Sequence, residues 1–129
     1  MAIKTVRILI LEDDLETLSV LTNRLFKLEQ EIKDKDIAVT TFSEYTQIID
    51  YVNKSDYKPD LILLDYDCKA CGSFHALNFD KFKVPIIAIS TQPEYNIKVV
   101  VKGAIECRKD LLKLDEWGDK VIELIKAKI

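Results

Sequence analysis

The chain has 129 residues, 48% hydrophobic and 32% charged, a composition of one folded domain rather than a disordered segment. A formal charge of −3 argues against a sequence-independent nucleic-acid surface, which needs a basic stripe, and no run reaches the ~20 apolar residues of a membrane span. The N-terminus carries no cleavable signal pattern, so a cytoplasmic location is expected, with Cys68, Cys71 and Cys107 as free thiols.

Val6 to Leu11 is a short aliphatic run that ends on Glu12-Asp13-Asp14, and it reads as a buried first strand. Asp14 is placed to cap a helix whose apolar positions Leu18, Leu21, Leu25, Leu28 and Ile32 step by three and four. Ile37 to Phe42 is β-branched and short, a second strand. Ser43 then opens a capped second helix that runs to about Val52 or Asn53. Lys58-Pro59-Asp60 breaks the pattern before Leu61-Ile62-Leu63-Leu64, four aliphatic residues that stop abruptly at Asp65-Tyr66-Asp67. Such a run suits a strand buried on both faces, with the carboxylate where the strand emerges.

Beyond Asp67 the pattern weakens. Cys68 to His75 reads as loop, and Ala76 to Lys83 has room only for a short helix or irregular segment. Val84 to Ser90 is the fourth strand, with Pro85 at its start. Thr91-Gln92-Pro93-Glu94 has the spacing of a capping box, and the brief helix it opens stops at Gly103. Ala104 to Arg108 forms a fifth strand, and a last helix from about Asp115 to Lys128 turns Trp117, Val121, Leu124 and Ile125 inward.

Strands alternating with helices imply a parallel sheet covered on both faces: an α/β, flavodoxin-like (βα)5 three-layer sandwich of strand order 2-1-3-4-5, with shortened third and fourth helices, over a single domain 1–129. That order sets the first and third strands side by side, so Glu12, Asp13 and Asp65 converge at one sheet edge. Crowded carboxylates call for a cation, and hard oxygen ligands with room for water favour Mg²⁺. A carboxylate beside Mg²⁺ can attack phosphorus; Ser90 can donate to a phosphoryl oxygen, and Lys109 can supply a positive partner.

These segments resemble the receiver domain of two-component response regulators. The likeness rests on Ile8 to Asp14, on Pro59 to Asp65, on Pro85 to Ser90, and on Gly103-Ala104 followed by Lys109. It implies that Asp65 is the phosphoacceptor for a sensor histidine kinase or phosphotransfer protein. It implies that Glu12 and Asp13 hold Mg²⁺ with the backbone carbonyl of Asp67. Ser90 would turn toward the phosphoryl group and Lys109 would pair with it. The expected protein is a stand-alone receiver that signals through a downstream protein partner, with no nucleic-acid or membrane partner. A homodimer is left open, and self-catalysed phosphoryl transfer is the only chemistry expected of it.

The chain departs from the family pattern at several positions. Lys69 stands where a proline is usual, and Cys107 where a Tyr or Phe is usual. The basic residue comes two rather than three positions after Cys107 and is followed by Asp110. One missing residue turns a strand side chain to the opposite face, so either the turn compensates or Arg108 takes the basic role. Three other readings follow: a pseudo-receiver acting as a phosphorylation-independent interaction module, a haloacid-dehalogenase-like phosphatase with Asp65 as nucleophile and Asp67 as acid, and a metal site at Cys68, Cys71 and His75 with Cys107.

Overall fold

The computed structural model describes residues 3–129; Met1 and Ala2, the start of the segment read for a signal, lie outside them. Five parallel strands form one sheet in the order β2-β1-β3-β4-β5. They are β1 (Lys4–Leu11), β2 (Lys35–Phe42), β3 (Leu61–Leu64), β4 (Ile86–Ala88) and β5 (Ile105–Glu106). The helices are α1 (Leu15–Glu31), α2 (Tyr45–Gln47), α3 (Pro93–Val100) and α4 (Leu114–Lys128). Among the described residues no helix is long and apolar enough to cross a membrane.

Strand alternation divides the core. Val6, Ile8 and Ile10 of β1 and Leu61 and Leu63 of β3 face α1 and α4, where Leu21, Leu25, Leu28, Trp117, Val121 and Ile125 meet them. Leu9, Leu11, Ile62 and Leu64 face the opposite side and pack on Ile48, Val52, Phe74, Leu77, Phe82 and Val99. All four β3 residues are buried, as a strand covered on both faces requires. Burying each such aliphatic side chain contributes about 1.5–3 kcal/mol before the entropic cost of ordering it. Leu18, Leu124 and Ile32 sit at the margin of their cluster, only partly buried.

Several local expectations are corrected. The second helix is capped at Glu44, not Ser43: Gln47 Oε1 accepts from Ser43 N–H at 3.1 Å and from Glu44 N–H at 2.9 Å. After one turn it widens through Ile48–Val52, with Asn53 N–H reaching back five residues to the Ile48 carbonyl. The Thr91–Glu94 capping box does not form. Gln92 is the N-cap of α3 and Pro93 its first residue, while the Gln92 N–H goes to Ser90 Oγ at 3.1 Å. β4 and β5 are shorter than the apolar runs that predict them, because the neighbouring strand pairs over only two or three residues there.

The third helix is reduced to a 3₁₀ turn, Phe74–Ala76. Phe74, Leu77 and Phe82, carried on irregular chain, cover the sheet where a helix would lie. Gly103 has φ +104°, and its N–H bonds the Val100 carbonyl as the chain leaves α3.

Candidate functional site

Glu12 and Asp65 are brought together by backbone pairing that continues one residue past the strands. The Asp65 N–H donates to Leu11 O at 2.9 Å and the Glu12 N–H to Phe42 O at 3.3 Å. By alternation, Glu12 follows Ile8 and Ile10, and Asp65 follows Leu61 and Leu63, so both carboxylates emerge on the α1/α4 side. Asp13 lies beside them, half-buried. Carboxylate oxygens of Glu12, Asp13 and Asp65 all lie within 4.8 Å of one another. The cluster lines a cleft of about 460 Å³ that also takes in Asp67, Ser90, Thr91, Lys109 and Leu111.

Lys109 reaches this cleft, and Arg108 points to solvent. The chain stays extended past β5, so Cys107 and Lys109 share one side: Cys107 is buried against the α1/α4 core and Lys109 continues into the acidic cluster. The Cys107 N–H bonds Ala88 O at 2.9 Å, and the Trp117 indole N–H donates to Cys107 O at 2.8 Å, which fixes that register. The two-residue spacing therefore carries the lysine into the site by simple alternation.

The electrostatics follow from burial. Glu12 Oε2 accepts from the Asp13 and Asp14 N–H groups at 2.9 and 3.1 Å, and Oε1 accepts from the Lys109 ammonium. Burial, then the charge of Asp65, pushes the Glu12 carboxyl up to about 7 against the pull of Lys109. Burial raises Asp65 as well; the Lys109 ammonium, 3.9 Å from Asp65 Oδ2, and a hydrogen bond with Glu12 draw it back. Burial and the Glu12 charge raise Asp13. Asp14 instead caps α1, accepting from Thr17 N–H at 3.0 Å and from its hydroxyl, and that hydroxyl bond lowers its carboxyl.

This donor set fits Mg²⁺: three carboxylates supply only hard oxygens, and the half-exposed Asp13 leaves a side open for water. Among the described residues Cys68, Cys71, His75 and Cys107 form no comparable cluster. Cys107 is in the α1/α4 core and Cys71 is exposed. Burial, with the carboxylates of Asp13, Asp67 and Asp65, pushes the Cys68 thiol up to about 11, and burial pushes the His75 imidazole down to about 4.

Two features escape the sequence reading. The Tyr66 ring stacks on Tyr95 of α3 with centroids 3.8 Å apart, and the His75 ring meets Tyr66 edge-on at 4.8 Å. Asn96, wholly buried in α3, bonds both backbone groups of Ser90. The only sequence signal for Asn96 is a poor helix former inside a short helix.

Neither a protein-family model nor a curated protein sequence matches the chain. Solved structures do. The non-phosphorylated receiver domain of the stress response regulator RcsB from Escherichia coli superposes with TM-score 0.58 at 16% identity, over 97% of this chain and 96% of that one. The bacteriophytochrome response regulator RtBRR gives 0.54 at 20% identity, over 79% and 68%. The BeF3-activated N-terminal receiver domain of Klebsiella pneumoniae RstA gives 0.50 at 21%, over 78% and 81%. With five parallel strands in the order 2-1-3-4-5 and helices on both faces, the chain has the fold of a response-regulator receiver domain.

Proposed function

We propose that the protein is a phosphoacceptor receiver: Asp65 takes a phosphoryl group in a Mg²⁺-dependent step, and a partner protein reads the result. The observation that carries this reading is the meeting of Asp65, Glu12 and Asp13 oxygens within 4.8 Å, with the Lys109 ammonium 3.9 Å from Asp65. The acidic cleft at the carboxyl ends of β1 and β3 is also where an open parallel sheet binds ligands.

In this reading Glu12, Asp13, Asp65 and the Asp67 carbonyl hold Mg²⁺, which supplies charge to offset that developing on the phosphoryl oxygens. An Asp65 carboxylate oxygen attacks phosphorus in line with the donor's phosphoramidate nitrogen. The O–P bond forms, the N–P bond breaks, and the donor imidazole leaves as the neutral base after taking up a proton. Lys109 draws the Asp65 carboxyl down against its burial and then pairs with the phosphoryl group. The Ser90 hydroxyl accepts from the Gln92 N–H, and its own hydrogen makes no bond among the described residues, so it is free to be donated to a phosphoryl oxygen. Leu111 on the cleft rim and its neighbour Leu112 are 61% and 95% exposed, an apolar edge suited to a protein phosphodonor such as a sensor kinase or phosphotransfer protein.

The test is incubation with Mg²⁺ and acetyl phosphate followed by intact mass measurement. A labile adduct of one phosphoryl group that is absent from Asp65→Asn supports the reading. Absence of the adduct from the wild-type chain overturns it in favour of a phosphorylation-independent interaction module. Turnover of many phosphomonoesters overturns it in favour of a phosphatase.

A further inference from the structure

Ser90 is held by one side chain. Its N–H donates to Asn96 Oδ1 at 3.0 Å, and its carbonyl accepts from Asn96 Nδ2 at 2.9 Å. The other Nδ2 hydrogen goes to Glu106 Oε2 on β5 at 3.0 Å. The carboxamide is thus fully used: an acceptor filled by backbone N–H, and two donors spent on a carbonyl and a carboxylate. Asn96 is 0% exposed and its two bonds to Ser90 are buried away from water, whereas Glu106 is exposed and can exchange its bond for solvent. β4 ends at Ala88, so the carboxamide does for Ser90 what a neighbouring strand does for the residues before it.

Cys107 does not face this hydrogen-bond network. It is 9% exposed and packs into the α1/α4 core. Glu106, the preceding residue, points to the other side of the sheet, the side of Ala88, Val99 and Ala104. The side-chain hydrogen bonds that join Ser90 to Glu106 on β5 run through Asn96.

We infer that Asn96 is a positioning residue that sets Ser90 for phosphoryl contact and carries its displacement to Glu106. This rests on Asp65 being the phosphoacceptor. The clamp grips the Ser90 backbone on both sides, so a backbone shift at Ser90 on phosphoryl contact is shared by the Asn96 side chain and the start of α3. The bond to Glu106 is the exposed and breakable one of the three, so the carboxylate is released to solvent or dragged with the helix. The bistable element is that bond, which both the phosphorylation site and a β5-facing partner bias.

The test uses backbone amide shifts of the full chain with Mg²⁺ and beryllofluoride. In the wild type, shifts are expected at Ser90 and across Ile105 to Cys107. Glu106→Ala should keep the Ser90 shift and cut the β5 shifts by about threefold or more; Glu106→Gln, which keeps an acceptor for Nδ2, should restore them. Asn96→Ala should abolish the β5 shifts and slow phosphorylation by acetyl phosphate by about tenfold, with Mg²⁺ affinity changed less than about twofold. If Asn96→Ala does not fold, the two Glu106 variants carry the test alone. Wild-type-sized β5 shifts in Glu106→Ala overturn the relay while leaving the phosphoacceptor reading standing. A wild-type chain that shows no beryllofluoride shift at Ser90 overturns both.

Discussion

Lys109 and Glu12 form a buried ion pair at the carboxyl end of the sheet, and the same ammonium lies 3.9 Å from Asp65. Glu12 is 0% exposed, so removing its partner leaves a carboxylate with no cation in a poorly solvated site. Lys109→Met should lower stability by about 3 kcal/mol in denaturant titrations at pH 8, where Glu12 is ionised. Adding Glu12→Gln should recover most of that loss, because the double variant buries no unpaired charge. Additive losses in the cycle would show that the pair does not interact as described.

Trp117 is the single tryptophan, and Lys109 Nζ lies 6.0 Å from its ring centroid. A cation bound among Glu12, Asp13 and Asp65 displaces the lysine from Glu12, so Mg²⁺ should change the indole emission in a saturable titration. Asp13→Asn should weaken that titration by about tenfold or more, since it removes one of the charged ligands. Calcium chelators that spare Mg²⁺ should leave the signal intact. A titration that is the same in Asp13→Asn would place the cation elsewhere.

His75 gives a pH signature. Its imidazole, packed edge-on against Tyr66 and Phe79, is pushed down to about 4 from 6.5 by burial, with Lys98 and Lys102 adding to the effect. Between those values the unfolded chain binds the proton and the folded chain does not, so stability is full above about 6.5 and lost as pH falls toward about 4. His75→Phe should flatten the stability-against-pH curve across that window by up to one proton. Near pH 7 it should be neutral or stabilising by about 1 kcal/mol, because the buried Nε2 has no hydrogen-bond partner to lose. Thermal melts at pH 5 and 7 decide it.

The loop after Asp67 turns through two left-handed residues, Ala70 (φ 62°) and Cys71 (φ 56°), before Gly72 (φ 143°). A Cβ on Gly72 would lie 2.4 Å from Tyr45 Cδ2 and 2.9 Å from Tyr45 Cβ, in a conformation that L side chains rarely adopt. Gly72→Ala should therefore cost about 3 kcal/mol in denaturant unfolding. The loop's anchors to the second helix, Tyr45 N–H to Lys69 O and Lys69 N–H to Ser43 O, should lose amide protection first. A loss under about 0.5 kcal/mol would mean that the Tyr45 ring moves aside freely.

The strands, their order and the three carboxylates were legible because burial on both faces writes continuous aliphatic runs, and the β1 and β3 runs each stop at an acid. Asp14 as the cap of α1 was legible from local chemistry alone. The short β5 was not, since two paired residues leave hardly any periodicity, and the reach of Lys109 depended on a register that only the Trp117–Cys107 hydrogen bond and the Ala88 pairing decide. The caps of α2 and α3 were misplaced by one residue because Ser43 and Thr91 have the right chemistry, but the chain spends Gln47 and Ser90 on the amides at those turns. Asn96 was missed because its partners, Ser90 and Glu106, lie six and ten residues away and meet it only in three dimensions.

The 3₁₀ turn that stands in for a third helix also sets where the molecule opens first. From Tyr66 to Val84 the backbone makes only scattered hydrogen bonds, such as Phe74 N–H to Tyr66 O, Lys69 N–H to Ser43 O and Lys81 N–H to Asn78 O, and mainly side chains seal that flank of the sheet. Local unfolding free energy falls where backbone bonds are few, so this flank should exchange its amides by sub-global opening while β1, β3, α1 and α4 exchange only with the whole molecule. β3 thus has one wall that breathes and one that does not, with Asp65 at the seam between them.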